Sequence, residues 1–441
     1  LATPGEHLLA PQWLPCAANA ATHAPRTARL TVLGGTPAQR AALAATHPAL
    51  RAIDDLAELD AHVEHLVWLL PAATDTLARR AGLDGFRLVK RLLSLGAGDR
   101  AFELTVLTAR SWTMPGDTPA FPAHADLAGL CGSLANEYPH WRVRLFDLSD
   151  ADALPADWRT QDAEGGHPLL LHRHGQWFAR RLVPLAALPA RAEPPYRPGG
   201  VYVAIGGAGG IGRVWTEHAI RACGAQVVWI GRRPLDAQID AHCDTLAALG
   251  PRPSYLSADA SDIDSLRAAR DAVLERFGRI DGVVHTAIVL QDGGLAQQDE
   301  AQFSAALNAQ VATTANLASA FGNDALDFIL FFSSLQSAFV AAGQSNYAAG
   351  CTFRDAFADW LRTQVRCAVK VVSWGYWGQT GVVASEPYRQ RMAALGIGSI
   401  EPAAAMAVVD ALLGAPVDQV GYLKTIASAA VPTLAPALAA R

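Results

Sequence analysis

The stretch "VYVAIGGAGGIGRVWTEHAIRACGAQVVWIGRR", residues 201–233, decides how the chain is read. A short apolar run ends in a glycine cluster, a helical pattern follows, and a second apolar run closes at two arginines. Gly206, Gly210 and Gly212 stand in a GxxxGxG spacing, with Gly207 and Gly209 loosening the same turn and Ile211 opening the helix. Glycine tolerates positive φ and lets backbone N–H groups approach a pyrophosphate at a helix N-terminus. Tight turns also use glycine structurally, but the strand before and the helix after weigh for a dinucleotide loop. Where the second run ends, an NAD site would carry an acidic residue for the ribose hydroxyl; this chain has Arg232 and Arg233. Two guanidinium groups suit a 2′-phosphate, which points to NADPH. Asp259, after the run "PSYLSA", is placed for an adenine contact, and Thr286 and Ala287 end the next run, "IDGVVHTA" (280–287), beside the same cleft.

Outward from this unit, apolar runs at 326–334, 368–375 and 419–426 alternate with helical patterns such as "SLRAARDAVLERFG" (265–278) and "YAAGCTFRDAFADWLRTQ" (347–364). Such an alternation predicts a parallel sheet covered on both faces. The first half repeats it more weakly: strand, glycine turn and helix over 28–48, runs at 64–72, 101–110 and 141–150, and a helical pattern at 86–97. Its Gly34–Gly35 turn lacks the other glycines of a phosphate loop. The expected fold class is α/β: two Rossmann-like, doubly wound parallel-sheet subdomains, the first truncated and cofactor-free. The expected boundaries are a lead-in over 1–27, a structural subdomain over 28–196 and a catalytic subdomain with a lid over 197–441. The Pro- and Arg-rich stretch "PLAALPARAEPPYRPGG" (184–200) reads as the linker between them.

With 441 residues and 51% hydrophobic composition, the chain is long enough for two packed domains. A net charge of −5 and a pI near 6.2 give no electrostatic case for nucleic acid or an anionic membrane. No apolar run is long enough to span a bilayer, and the N-terminus lacks the basic and apolar regions of a secretory signal. It also lacks an initiating methionine, which fits a fragment or a processed chain. Cys16, Cys131, Cys223, Cys243, Cys351 and Cys367 form no CxxC pair, so reduced thiols and no metal are expected.

A second informative stretch, "FFSSLQSAFVAAGQSNYAAGC" (331–351), holds Ser334 and Tyr347, 13 positions apart. The pair suggests a hydroxyl-assisted tyrosine acid facing a bound carbonyl. Tyrosine ionises near pH ~10, and a neighbouring cation lowers the cost of the phenolate left after proton donation. Lysine occurs only at Lys90, Lys370 and Lys424, and Lys370 lies inside a predicted strand, pointing elsewhere. The expectation is therefore a phenol with no cationic neighbour.

With GGAGGIG, GVVHTA and the Ser334–Tyr347 pair, the second half resembles a short-chain dehydrogenase/reductase. The whole chain resembles, more narrowly, the ketoreductase domain of a modular type I polyketide synthase, particularly of systems with free-standing acyltransferases. "LAGLCGSLANEYPHWRVRLFDL", "LLLHRHGQWFARRLVP", "GQSNYAAGCTFRDAFADWL" and "SWGYWGQTGVV" carry that resemblance. It implies NADPH-dependent reduction of a β-ketoacyl thioester on an acyl carrier protein, among neighbouring synthase domains in the cytoplasm. Ser334 would hold the substrate oxygen and Tyr347 would be the general acid. The family's lysine and asparagine fall at Gln310 and Cys351, so reduction is expected to be impaired. A non-reducing scaffold and an epimerase, which needs no hydride, remain alternatives. Ile288 stands where the family has a glycine beside the cofactor. Asp292 matches the last aspartate of a segment that marks one alcohol configuration, and Phe339 replaces the tryptophan of the opposite class. Trp374 and Trp377 are read as cleft walls or core, His285 as a hydrogen-bonded structural residue, and 379–399 as a lid over the cleft.

Overall fold

The apolar runs become strands because both faces of the sheet are covered; the run Phe328–Ser334, for example, is buried at every position. The computed structural model describes residues 4–16, 29–71, 81–150, 154–162, 167–188, 195–380 and 383–428. In chain order the strands are β1 (Gly5–Pro15), β2 (Leu30–Gly34), β3 (Arg51–Ile53), β4 (His65–Leu69) and β5 (Phe102–Ala109). They continue as β6 (Trp141–Leu148), β7 (Leu169–Arg173), β8 (Gln176–Leu185), β9 (Val201–Ile205) and β10 (Gln226–Gly231). The last are β11 (Ser254–Ser257), β12 (Gly282–His285), β13 (Phe328–Ser334), β14 (Ala368–Trp374) and β15 (Gln419–Thr425).

These strands form one sheet in the order β11-β10-β9-β12-β13-β14-β15-β1-β8-β7-β6-β5-β4-β2-β3. From β9 to β15 the order is that of a dinucleotide-binding fold, and the crevice opens where it reverses, between β9 and β12. From β2 to β6 the order is that of the shorter doubly wound fold, with five strands against the seven of β9 to β15. The segment "LLLHRHGQWFARRLVP" (169–184) falls in an antiparallel hairpin of β7 and β8.

The lead-in 1–27 contributes more than an extension. β1 pairs antiparallel with β15 on one side and β8 on the other, so it joins the two halves edge to edge. In the expected linker 184–200, β8 runs on to Leu185, and residues 189–194 lie outside the described residues. The two glycine turns differ in what fills them. After Gly34–Gly35, Thr36 Oγ1 accepts from Gln39 N–H while Gln39 Oε1 accepts from Thr36 N–H, so the chain caps its own helix Pro37–Thr46. After Gly206–Gly207, the helix Gly210–Cys223 begins at Gly209 with no side-chain cap. Its first-turn N–H groups have no capping side chain.

No described helix is long and apolar enough to cross a membrane, and no described cluster of His, Cys, Asp or Glu could hold a metal ion. All six cysteines are free.

Candidate active site

The glycine turn is built for close approach. Gly206 has φ +81°, and a Cβ there would lie 2.6 Å from the backbone of Ala287. A cleft of about 330 Å³ opens above it, walled by Gly206, Gly209, Arg232, Arg233, Asp259, Thr286, Ala287 and Ile288. Arg232 and Arg233 are exposed at the end of β10, where Arg233 also meets Asp236 at 3.4 Å. One Asp259 carboxylate oxygen accepts from Ser261 N–H and Oγ, so that residue shapes its loop as well as the cleft. An uncapped helix start, a glycine cradle that a Cβ would fill and two exposed guanidinium groups fit NADPH. Gly207 lies deeper, against the ring of Trp229.

A larger cavity of about 620 Å³ shares Gly209, Arg233, Thr286 and Ile288 with this cleft. Its walls bring together Gly210, Ile211, Gly212, Ser334, Phe339, Tyr347 and Trp374, residues spread over more than 160 positions of sequence. The pairing of β13 with β14 sets Ser334 opposite Trp374. Trp374 and Trp377 cross at 86° with ring centres 5.4 Å apart, and both line the cavity. In the stretch expected as a lid, the helix Glu386–Ala394 presents Tyr388 and Met392 to the cavity; residues 381–382 lie outside the described residues. Asp292 is absent from both walls, but its carboxylate accepts from Gln344 Nε2 at 2.7 Å, and Gln344 lines the larger cavity. Ile288 does not carry the positive φ that would demand glycine; it is 40% exposed where the two cavities meet.

Tyr347 is half-buried in the cavity wall, and burial pushes its phenol well above the ordinary tyrosine range. The Cys351 thiol acts in the same direction, whereas a hydrogen bond from Ser334 and the Arg354 guanidinium pull it back. The remaining two expected site residues do not reach the cavity. Gln310 is 1% exposed on the helix Glu300–Phe321, packed against Gly350, and neither amide atom has a hydrogen-bond partner. The Cys351 thiol is buried and pushed up to about 12, first by burial, so it is an inert thiol rather than a nucleophile.

Two expectations are corrected. His285 is fully buried, yet neither ring nitrogen finds a partner, so it is not held by hydrogen bonds. Burial and then Arg354 push its pKa well below the usual range, leaving it a neutral packing group. Nor is Tyr347 without a cation. Lys370 is spent on Ala415 O, Val417 O and Asp418, as its place in β14 implies, but Arg354 lines the cavity with Tyr347. The signal was present in the sequence: Tyr347, Cys351 and Arg354 follow at i, i+4 and i+7 on one helix face. A search restricted to lysine passes over it.

Residues 200–379 match the family model of the KR domain. The chain is 42% identical, over 94% of its length, to polyketide synthase ThaG of Burkholderia thailandensis. It is 37% identical, over 97% of its length, to polyketide synthase PksM of Bacillus subtilis. It spans 8% and 10% of those proteins, respectively. Among solved structures, an A1-type ketoreductase superposes with a TM-score of 0.80 at 25% identity, covering 96% of this chain and 93% of that one. A ketoreductase domain from the bacillaene assembly line superposes with a TM-score of 0.78 at 19% identity, covering 96% and 97%. The fold is that of a Rossmann-like α/β oxidoreductase. The chain carries a ketoreductase domain of the kind built into modular polyketide synthases.

Proposed function

We propose that this domain reduces a β-ketoacyl thioester, presented on the phosphopantetheine arm of an acyl carrier protein, to the β-hydroxyacyl form. NADPH, held at the glycine turn, would supply the hydride. The setting is a cytoplasmic multidomain synthase of the type with free-standing acyltransferases. One observation carries the reading: Ser334 and Tyr347 share a cavity with the open start of the helix Gly210–Cys223.

The chain's own residues divide the remaining work. Ser334, which shares the cavity wall with Tyr347, positions the substrate oxygen, and Tyr347 gives its Oη proton to that oxygen as negative charge develops. Trp374, Phe339 and Tyr388 wall the acyl chain away from water. Burial keeps Tyr347 protonated at neutral pH, so it is ready to donate but reluctant to stay charged. With Gln310 in place of an ammonium, proton delivery is the step that is weakened, and general-acid assistance is worth about 10²–10⁴ in rate.

The test is a fluorescence titration with NADPH, then NADPH oxidation with a β-ketoacyl N-acetylcysteamine thioester. Binding and turnover are expected. A folded domain that binds no NADPH would leave only a scaffold that holds its neighbours in place. That second reading draws on the Gln310 amide, which is buried without a partner and offers the phenol nothing.

A further inference from the structure

Arg354 is 2% exposed, and no carboxylate pairs with it among the described residues. Its Nη1 donates to Phe332 O at 2.6 Å, its Nη2 reaches Ala287 O only at 3.5 Å, and its Nε has no partner. A buried guanidinium held by carbonyls alone is unusual, because burying a charge is costly without an opposite one. The adjacent carboxylate, Asp355, is taken by Ser333 Oγ at 2.7 Å, Gln419 Nε2 at 2.8 Å and Arg180 at 3.3 Å. Cys351, beside the phenol, and His285, beside the guanidinium, are both neutral. The carbonyls that Arg354 meets lie two residues before Ser334 on β13 and in the wall of the cofactor cleft. Helix side chains lean toward the N-terminus, so a long side chain two turns after Tyr347 reaches back along the face that carries the phenol.

We propose that Arg354 is the positioning residue whose positive charge supports the Tyr347 phenolate, in place of the lysine this chain lacks. The buried cation has no anion until Tyr347 gives up its proton, and it then acquires one. The charge is therefore set aside for the state formed during proton transfer. The inference rests on the reductase reading for its catalytic consequence, but its electrostatic content is independent of turnover.

Two measurements separate the two claims. In the first, 3,5-difluorotyrosine, a more acidic phenol, is placed at position 347 and titrated by fluorine NMR. Arg354→Met should raise its midpoint by about one pH unit or more, a tenfold loss in ionisation, while Arg354→Lys should leave most of the effect. An unchanged midpoint in the folded Met variant overturns the inference whether or not the domain reduces anything. In the second, kcat with the thioester mimic should fall about 10²-fold in Arg354→Met, with NADPH affinity held within about twofold and partial recovery in Arg354→Lys. A shifted midpoint with no turnover in the wild type overturns the reductase reading and leaves the charge pairing standing. Equal kcat in the wild type and Arg354→Met overturns the catalytic role.

Discussion

At the residue scale, Tyr347 must meet two opposed requirements: stay protonated while waiting and bear a charge after donating. Burial serves the first, and the Ser334 hydroxyl and Arg354 serve the second. Gln310 serves neither, since its amide makes no hydrogen bond and a buried unsatisfied group costs about 1–3 kcal/mol. Replacing it by lysine exchanges that idle amide for an ammonium on the helix against which Gly350 packs. Gln310→Lys is expected to raise kcat for the thioester mimic by up to about tenfold. An unchanged rate with NADPH bound would show that position 310 does not limit proton delivery. Arg232 and Arg233 stand exposed at the cleft, and the ion pair of Arg233 with Asp236 is a surface pair of small energy. Arg232→Asp with Arg233→Ala should weaken NADPH by about tenfold or more while sparing NADH, read by fluorescence titration of each nucleotide. The glycines, Ser334, Tyr347 and the arginine pair could all be picked out from local spacing. Arg354 could not be weighed that way, because its importance depends on what surrounds its charge.

At the element scale, the helix that presents Tyr347, Ser345–Leu361, is buttressed by the helix Asp126–Glu137 of the first half. The two approach so closely that a Cβ on Gly129 would lie 2.2 Å from the Ala348 carbonyl carbon. Gly129 N–H also donates to Thr352 Oγ1 at 3.2 Å. At the end of the same helix, Glu137 accepts from Gly343 N–H at 3.0 Å and Leu295 N–H at 2.8 Å, which ties together the two loops that carry them. The first half therefore sets the position of the helix that carries Tyr347. Gly129→Ala should cost about 1–3 kcal/mol through overpacking and lower kcat with little change in NADPH affinity. Denaturant midpoints and single-substrate kinetics check both, and an unaltered midpoint would mean that the interface can yield. Sequence periodicity announced the helix that carries Tyr347, but not that a glycine of another helix was reserved for its backbone.

At the scale of the whole molecule, β1 joins the halves into one sheet, which local sequence patterns barely foreshadow. Pro11 and Pro15 interrupt the run, and proline is poorly suited to a central strand. The structure accommodates them because β1 pairs with β15 only over Gly5–Leu9, leaving Pro11 beside β8 alone. The fold also carries a pH-sensitive weakness at the start of the buttressing helix. Asp126 is 1% exposed, accepts from Gly82 N–H at 2.7 Å, and is raised by burial to about 7. The unfolded chain loses this proton at an ordinary carboxylate pH, whereas the folded chain keeps it. The group's contribution to stability therefore falls as pH rises from the carboxylate range to about 7 and is level above that. The full effect is bounded at roughly 4 kcal/mol. Asp126→Asn should remove this slope and gain on the wild type across that window, measured by denaturant unfolding at a series of pH values. Parallel curves would rule out an ionisation penalty at this site.

The sequence by itself determined the α/β alternation, the glycine turn and the Ser334–Tyr347 spacing, because backbone requirements and strand or helix periods are satisfied within a few neighbouring residues. Only the tertiary structure decided how β1 closes the sheet, that Gln310 is buried without a partner, and that Arg354 shares a cavity wall with the phenol while no described carboxylate pairs with it. Those outcomes depend on which groups packing removes from water together. The strength of a charge is set by that shared enclosure and not by distance along the chain.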